Sequence, residues 1–495
     1  MERVLERGSD ALSRYPLTLS ALAMMGSGYV VYKTIKYIQE AKQDVTVSAP
    51  GKALIAGGYL VLEYPNVGLV ISCSSRFYTT VRMLKQGHSS GDSRANAVPS
   101  ALQIQRAKAD MCLLVLVLSP QFHTHFLYSY NCKSGALTLA KAETDSAEDA
   151  GNGNEFVEKC LLLVFSFLRK AQASFSKDVT ACASAGSTLA LKLRADNDFY
   201  SQVRELRRQQ LPLISSSLAI LPKFLPCPKD PVTGDLLVAK TGMGSSAALT
   251  SSLVGGLLKF FGCVKLNGPT CPSNAEDRRV VHNLAQLAHA VAQGKIGSGF
   301  DVSAAVFGSQ VYRRFDPKGF ESAMDAAAGS SIDDNVIFAA VTDQALWAQG
   351  TVQSLALPQG LDIVMGDVCG GSSSTSMARA VLAWKKEKSE LSVKVWNSLA
   401  ESNLAAQEQL SLLRSCELNY PADFRVVMKH ASARPSNNWN ASNELSTEGQ
   451  RRTLAVLLET KRLFSKLRGL LKVMGTSAGV DIEPDDQVCV DVVFN

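Results

Sequence analysis

Lys240-Thr241-Gly242-Met243-Gly244-Ser245-Ser246-Ala247 is the stretch on which the reading of this 495-residue chain turns. Upstream, Leu236–Ala239 is apolar and reads as a strand feeding the stretch. Downstream, Leu249, Leu253, Leu257 and Phe260 recur at helical spacing, so an amphipathic helix is expected from about Ala247. Two glycines allow the backbone between them to turn tightly and approach a ligand closely. The amides of such a loop and the first free amides of the helix converge on one spot, which the helix dipole makes favourable for an anion. Ser245 and Ser246 add hydroxyls that bond phosphate or reach Mg²⁺, and Lys240 adds charge. The Gly-Lys-Ser/Thr ending of a Walker A loop is missing. On these residues alone a plainer alternative stays open, a Ser N-cap following a Gly turn.

Working outward, Val45-Thr46-Val47 reads as a short strand, Ser48-Ala49-Pro50-Gly51 as a turn, and Leu54–Leu62 as renewed strand. Phe77, Thr79, Val81 and Met83 alternate with Arg76, Tyr78, Thr80 and Arg82, the period of a half-buried strand. Met111–Leu118 is a continuous apolar run with the composition of a buried strand. The polar stretches Gly87–Ser100 and Asp145–Asn154, and the breaker cluster Pro226–Gly234, read as loops. Leu284, Leu287, Ala288 and Val291 share a helix face, and Leu361–Met365 reads as a short strand. Thr447–Met474 is expected to be a long helix with Leu454, Leu458, Leu467 and Leu471 inward, ended by Gly475. Its basic outer stripe is read as a solvated face. Strands first and helices later, without regular βαβ alternation, predict an α+β architecture.

Composition narrows the class. Hydrophobic residues are 46% and charged residues 19%, as in packed globular proteins and unlike disordered ones. The net charge of +6 suits phosphate-bearing substrates, but no dense Lys/Arg block with interleaved aromatics marks a nucleic-acid surface. The 11 cysteines are scattered singly without CxxC, which argues for reduced thiols rather than a zinc site or a disulfide framework. From Leu17 to Val31 runs a mostly apolar stretch flanked by Arg14, Lys33 and Lys36, short for a membrane span and diluted by polar residues and glycines. It is read as an extension, with a weak anchor or targeting helix as the alternative. His123 and His125 are expected on one strand face and are weak evidence for a metal.

Two further segments change the weight of the phosphate-type loop. SAPGKALIAGGYL at 48–60 puts Lys52 directly after Pro-Gly, and QGKIGSGFDVS at 293–303 puts Asp301 in the opening of a helix. Each alone has a bland reading, a surface lysine and an acid complementing a helix dipole. Together with KTGMGSSAAL, with ADNDFYSQ at 195–202, and with MGDVCGGSSSTSM at 365–377 and AGVDIEP at 478–484, they resemble the GHMP kinases, most closely their phosphomevalonate kinase branch of eukaryotic type. The resemblance runs from about residue 45 to the C-terminus.

That resemblance implies a two-lobed α+β fold. Its N-terminal ATP-binding lobe, of the ribosomal protein S5 domain 2 type, would span residues 45–335 after an extension at 1–44. A ferredoxin-like C-terminal lobe would occupy 336–495. It implies transfer of the ATP γ-phosphoryl group to the phosphate of phosphomevalonate, with Mg²⁺, by positioning and charge neutralisation. Lys240, Thr241, Gly242, Met243, Gly244, Ser245, Ser246 and Ala247 would cradle ATP, with Ser245 or Ser246 near Mg²⁺. Asp301 would orient the acceptor oxygen or take its proton. Lys52, with Lys295 as a second candidate, would stabilise charge between donor and acceptor. Gly371, Ser372, Ser373, Ser374 and Thr375, within a Gly370–Ser376 loop, would grip the substrate phosphate. The partner implied is a small molecule. The charge pattern speaks against nucleic acid, a monomer or homodimer is expected, and with no clear targeting signal in the sequence the cytoplasm is the default location. A peroxisomal or membrane-associated pool is the alternative location.

Two departures qualify the expectation. The helix before Asp301 carries His289-Ala290-Val291-Ala292-Gln293 where several superfamily members have a metal-binding Glu, and His289 is read as a satisfied core histidine. The chain also stops eleven residues after Pro484 without the last Gly-rich segment of the family. A shortened C-terminal lobe is therefore expected, and with it a competing reading, a GHMP-fold protein with weakened or lost activity. A third reading keeps the kinase and changes the acceptor.

Overall fold

A computed structural model of the chain describes residues 44–85, 99–140, 153–266, 275–329, 332–366, 374–439 and 445–483. The apolar stretch at 17–31, most of the two polar loops, Gly371 to Ser373, and the end from Pro484 lie outside the described residues. No described helix is long and apolar enough to cross a membrane.

The alternating run from Arg76 to Met83 is the C-terminal half of a strand far longer than the pattern suggested. β2 spans Val67–Leu84, after β1 (Val45–Ala56). The other strands are β3 (Cys112–Ser119), β4 (Thr124–Asn131), β5 (Leu137–Leu139), β6 (Thr188–Ala195), β7 (Gln310–Arg313) and β8 (Thr351–Ser354). They form one mixed sheet in the order β5-β4-β3-β6-β2-β7-β8, with β1 on the other edge of β2. Only β3 and β6 run parallel among these neighbours.

Pro50-Gly51 does not turn the chain. β1 continues through it, and the register against β2 shifts between Pro50 and Lys52 and again between Leu54 and Ala56. A proline has no N–H for the ladder, and a bulge is where a strand accommodates it. The strand ends at Ala56, and Leu60–Leu62 is a 3-10 turn, so of the expected strand Leu54–Leu62 only Leu54–Ala56 is strand.

Helices α1 (Glu155–Ala171), α2 (Ser245–Phe260) and α3 (Ala275–Gln293) cover one face of the sheet. Phe77, Thr79 and Val81 of β2 point into this core. α2 lies directly on them. A Cβ at Gly256 would stand 3.3 Å from Val81 Cγ2, and Thr79 Oγ1 and Ser252 Oγ share a 2.9 Å hydrogen bond. α2 is buried almost all round, so its pattern is that of a central helix rather than an amphipathic one.

After α4 (Phe300–Phe307) and β7–β8, the chain continues in helices α5 (Ser374–Lys386), α6 (Glu390–Asn419), α7 (Pro421–Ser432) and α8 (Glu448–Ala478). No strand follows Ser354 among the described residues; Leu361–Met365 is irregular and largely exposed. α8 runs past Gly475 and is capped by Gly479 at φ 68°. Gly475 stays helical inside a buried contact with Ile482, while Gly479 supplies the left-handed residue that ends the helix. Leu467 faces inward as expected, and Leu454 and Leu471 pack half-buried against the core as expected, while Leu457, Leu463 and Met474 are the deeply buried companions of Leu467.

This helical part shares a core with the sheet. Leu60, Val67 and Leu69 pack with Trp384, Trp396 and Leu399. The Gly57 N–H donates to Oδ1 of the buried Asn403 at 3.0 Å, and Lys385 pairs with Glu63 while lying 4.2 Å above the Trp396 ring.

Candidate functional site

The phosphate-type loop is held by the segment before it. Ser201 N–H donates to the Ala239 carbonyl at 2.8 Å, Thr241 N–H to the Phe199 carbonyl at 3.2 Å, and the Thr241 hydroxyl to the Asp198 carbonyl at 2.6 Å. Leu236–Ala239 is therefore not a ladder strand. It makes isolated bridges at Leu236 and Lys240 because its polar groups are met by 198–201 and 228–229 instead. Ser75 donates to the Asp198 carboxylate, and Tyr200 hydrogen-bonds Ser245.

α2 begins at Ser245, two residues earlier than the apolar spacing suggested, and its N-cap is Gly244 at φ 76°. The Ser N-cap alternative fails, since no side chain caps this end. The first amides of a long helix thus open toward the loop without a protein acceptor from a cap, the arrangement that attracts an anion.

Lys52 and Asp301 meet over Gly244. A Cβ there would lie 3.2 Å from Lys52 Cε and 3.7 Å from Asp301 Cβ. Lys52 reaches this point because its own N–H donates to the Met243 carbonyl at 3.0 Å, while Gly51, whose Cβ would stand 3.0 Å from that oxygen and from Phe199, admits the close approach. The Lys52 ammonium donates to the Gly242 carbonyl at 2.8 Å and lies 5.5 Å from the centre of the Phe300 ring. Burial lowers its pKa from the usual lysine range; the charges of Asp301 and of Cys73 oppose the shift. Asp301 sits in the first turn of α4, as expected, behind Gly299 at φ 78°.

His289 is buried and satisfied, as read, yet it also belongs to this site. Its Nε2 is 3.1 Å from Ser246 Oγ and 3.1 Å from Gln293 Nε2. The Gln293 amide can only donate, so the ring nitrogen accepts, and the Ser246 hydroxyl points its hydrogen at it. The lone pairs of Ser246 remain available to a cation. Burial lowers the His289 pKa, opposed by Asp301 and assisted by Lys295, which keeps the ring neutral for this task. No group of three or more His, Cys, Asp or Glu is placed to hold a metal among the described residues. The Ser245 and Ser246 hydroxyls at the start of α2 are oxygen donors of the kind that suits Mg²⁺, an ion that completes its shell with substrate phosphates and water.

Of the other expected residues, Lys240 and Lys295 are exposed on the rim, Met243 and Ala247 are buried beneath the loop, and Thr241 is tied to Asp198. Gly371, Ser372 and Ser373 lie outside the described residues; Ser374 and Thr375 open α5, so the Gly370–Ser376 stretch is not all loop. The chain leading to it passes the site, with Met365 Sδ 3.9 Å from Cys73 Sγ. His123 takes a left-handed turn before β4 while His125 lies in the strand, so the two share no strand face. Asp198, Ser75 and Cys73 were not singled out from sequence. Asp198 and Tyr200 stood inside the ADNDFYSQ block, but nothing in their spacing tied them to a loop forty residues later.

Comparison with known proteins follows this geometry. The family model of the GHMP kinases N terminal domain matches residues 232–309. A peroxisomal phosphomevalonate kinase of Arabidopsis thaliana is 31% identical over 453 residues, covering 90% of this chain and 83% of its own. A phosphomevalonate kinase of Aspergillus fumigatus is 33% identical over 396 residues, covering 77% of this chain and 74% of its own. One of Candida albicans is 29% identical over 388 residues, covering 77% and 73%.

Proposed function

The chain belongs to the phosphomevalonate kinases of the GHMP superfamily, and on that premise we propose that it transfers the γ-phosphoryl group of ATP to the phosphate of phosphomevalonate. An oxygen of the acceptor phosphate forms a bond to the γ-phosphorus. The bond from that phosphorus to the β–γ bridging oxygen breaks, and its electron pair leaves with ADP. Diphosphomevalonate is the other product.

The observation that carries this reading is the meeting of Lys52 and Asp301 over Gly244 at the uncapped start of α2. Gly242–Ala247 and the first amides of α2 bind the ATP phosphates. The acceptor phosphate is already largely ionised near neutral pH, so Asp301 acts mainly by orienting the attacking oxygen and receives a proton only from the monoprotonated form. Lys52, held by Gly242 and facing Asp301, neutralises charge passing between donor and acceptor. Lys295 adds a second positive charge at the rim. Gly371, Ser372, Ser373, Ser374 and Thr375 are our candidates for gripping the acceptor. Ser246, oriented by His289, and Ser245 would hold Mg²⁺, which supplies neutralisation of the donor phosphates when bound.

The test is ADP release by the purified chain with ATP and Mg²⁺, using phosphomevalonate, mevalonate or no acceptor. Turnover with phosphomevalonate alone is expected. Turnover with mevalonate but not phosphomevalonate would overturn the assigned acceptor.

A further inference from the structure

We infer that Gln286, Tyr312 and Arg314 are positioning residues that clamp the three carbonyls ahead of Asp301 and so fix its carboxylate against Lys52. The inference rests on the phosphoryl-transfer reading above.

Asp301 follows Gly294-Lys295-Ile296-Gly297-Ser298-Gly299, a run whose three glycines leave the backbone little intrinsic preference. Three side chains from the core restrict it. Arg314 Nη2 donates to the Ile296 carbonyl at 3.1 Å, the Tyr312 hydroxyl to the Ser298 carbonyl at 2.8 Å, and Gln286 Nε2 to the Gly299 carbonyl at 2.6 Å. Gln286 is 3% exposed and Tyr312 2%. Phe315 closes the packing, since a Cβ on Gly299 would come within 2.9 Å of its ring and of the Tyr312 hydroxyl.

The donors run in one direction. Gln286 Nε2 also stands 3.2 Å from His282 Nε2, and His282 Nδ1 stands 2.8 Å from Asn283 Oδ1. The Asn283 amide donates in turn to the Val341 carbonyl at 2.8 Å. This set is consistent only for a neutral His282 protonated at Nδ1, accepting from Gln286 and donating to Asn283. Burial pushes the His282 pKa down to about 4, so the ring stays neutral through the working range. Gln286 therefore presents a fixed donor to Gly299.

Arg314 couples both halves of the site. Its Nη1 donates to the Leu62 carbonyl at 2.8 Å, just beyond the strand that carries Lys52, while Nη2 holds the run that carries Asp301. Its Nε is buried without a partner. Burying a guanidinium and leaving one donor unmet opposes stability, and an apolar residue would serve packing better. The two carbonyls it spans are what the arrangement secures.

The test compares Tyr312→Phe, Gln286→Glu and, as a reference for the site reading, Asp301→Ala. kcat, KM for ATP and phosphomevalonate, and Tm are measured from pH 6 to 9. Tyr312→Phe, which removes one oxygen, is expected to lower kcat on the order of 10-fold with both KM values within about 2-fold. Gln286→Glu is expected to lower kcat most at pH 9 and to recover toward pH 6, where a buried carboxyl regains its proton and can again donate to Gly299. Around the wild-type Gln286 no packed ionisable group changes charge there: His282 is neutral, the buried Tyr312 is pushed well up and keeps its proton, and Arg314 stays charged. A pH dependence beyond that of wild type therefore belongs to the new carboxyl and to the His282 ring it faces. Wild-type kcat in Tyr312→Phe, together with a Gln286→Glu profile parallel to wild type, would overturn the clamp. So would losses that only track the folded fraction. An active Asp301→Ala would instead remove the site reading itself, whatever the other two variants do.

Discussion

The Lys52 ammonium donates to the Gly242 carbonyl at 2.8 Å, so one charged hydrogen bond joins the first strand of the sheet to a loop 190 residues later. The amine is drawn out of water to make it, and burial lowers its pKa against the pull of Asp301. The ammonium thus loses its proton below pH 10.5, and kcat is expected to fall on the alkaline side earlier than for an ordinary lysine. The stability sign is the reverse of a helpful ion pair. Folding disfavours the charged form below the folded pKa, and that penalty is relieved as pH rises toward 10.5. Lys52→Arg, which keeps its charge, is expected to flatten the alkaline limb of a kcat profile taken from pH 7 to 10.5. An unchanged limb would remove Lys52 from the reacting centre.

Asp301→Asn keeps the shape of the side chain and removes its charge. Turnover in the ADP-release assay is expected to fall on the order of 100-fold or more. ATP affinity by titration calorimetry should stay within about 2-fold, because the nucleotide is held by Gly242–Ala247. Full activity in this variant would show that Asp301 does not face the acceptor.

Gly244 holds φ 76° and borders both charged residues. Gly244→Ala introduces left-handed strain of roughly 1–2 kcal/mol and a methyl 3.2 Å from Lys52 Cε. A drop in Tm accompanied by at least tenfold weaker ATP binding is expected. Wild-type ATP affinity would mean that the loop does not approach the nucleotide this closely.

His282 links pH to stability. Its pKa falls from 6.5 to about 4 on folding, so the unfolded chain binds the extra proton first as pH drops. The associated stability is complete above about pH 6.5 and lost toward pH 4. By pH 5 the loss amounts to about 2 kcal/mol. Urea midpoints at pH 7 and pH 5 should differ less in His282→Gln than in wild type, and an identical difference would contradict a buried neutral ring.

Much of the architecture was legible in local pattern. The alternation from Arg76 to Met83 marked β2, the run at Met111–Leu118 marked β3, and the spacing of Leu284 to Val291 marked α3. What failed were places where tertiary contacts decide local form. Leu236–Ala239 looks like a strand but spends its polar groups on Ser201 and Pro228. Pro50-Gly51 looks like a turn but sits in a bulge that lets Lys52 reach Met243. Gly475 looks like a helix stop, yet the left-handed residue is Gly479, and propensity cannot choose between two glycines.

The site divides in the same way. Lys52, Gly244, Ser246 and Asp301 stood out because Gly-rich runs punctuate the sequence around them. Gln286, Tyr312 and Arg314 carry no such mark. A glutamine on an apolar helix face and a tyrosine in a four-residue strand show their purpose only once the carbonyls they meet are in view. Asp198 shows its purpose only beside Thr241.

The Gly57–Asn403 hydrogen bond and the packing of Leu60 and Leu69 on Trp384 and Trp396 bear on how the chain can be divided. Expressed alone, residues 45–335 would expose that apolar face and leave the Gly57 amide unpaired. Insoluble product is expected from such a fragment, and a clear, monodisperse solution of it would contradict the shared core. The helices beyond residue 374 thus form part of the seat on which the strand that carries Lys52 rests. Neither half can be traded for a foreign module without rewriting the other's surface.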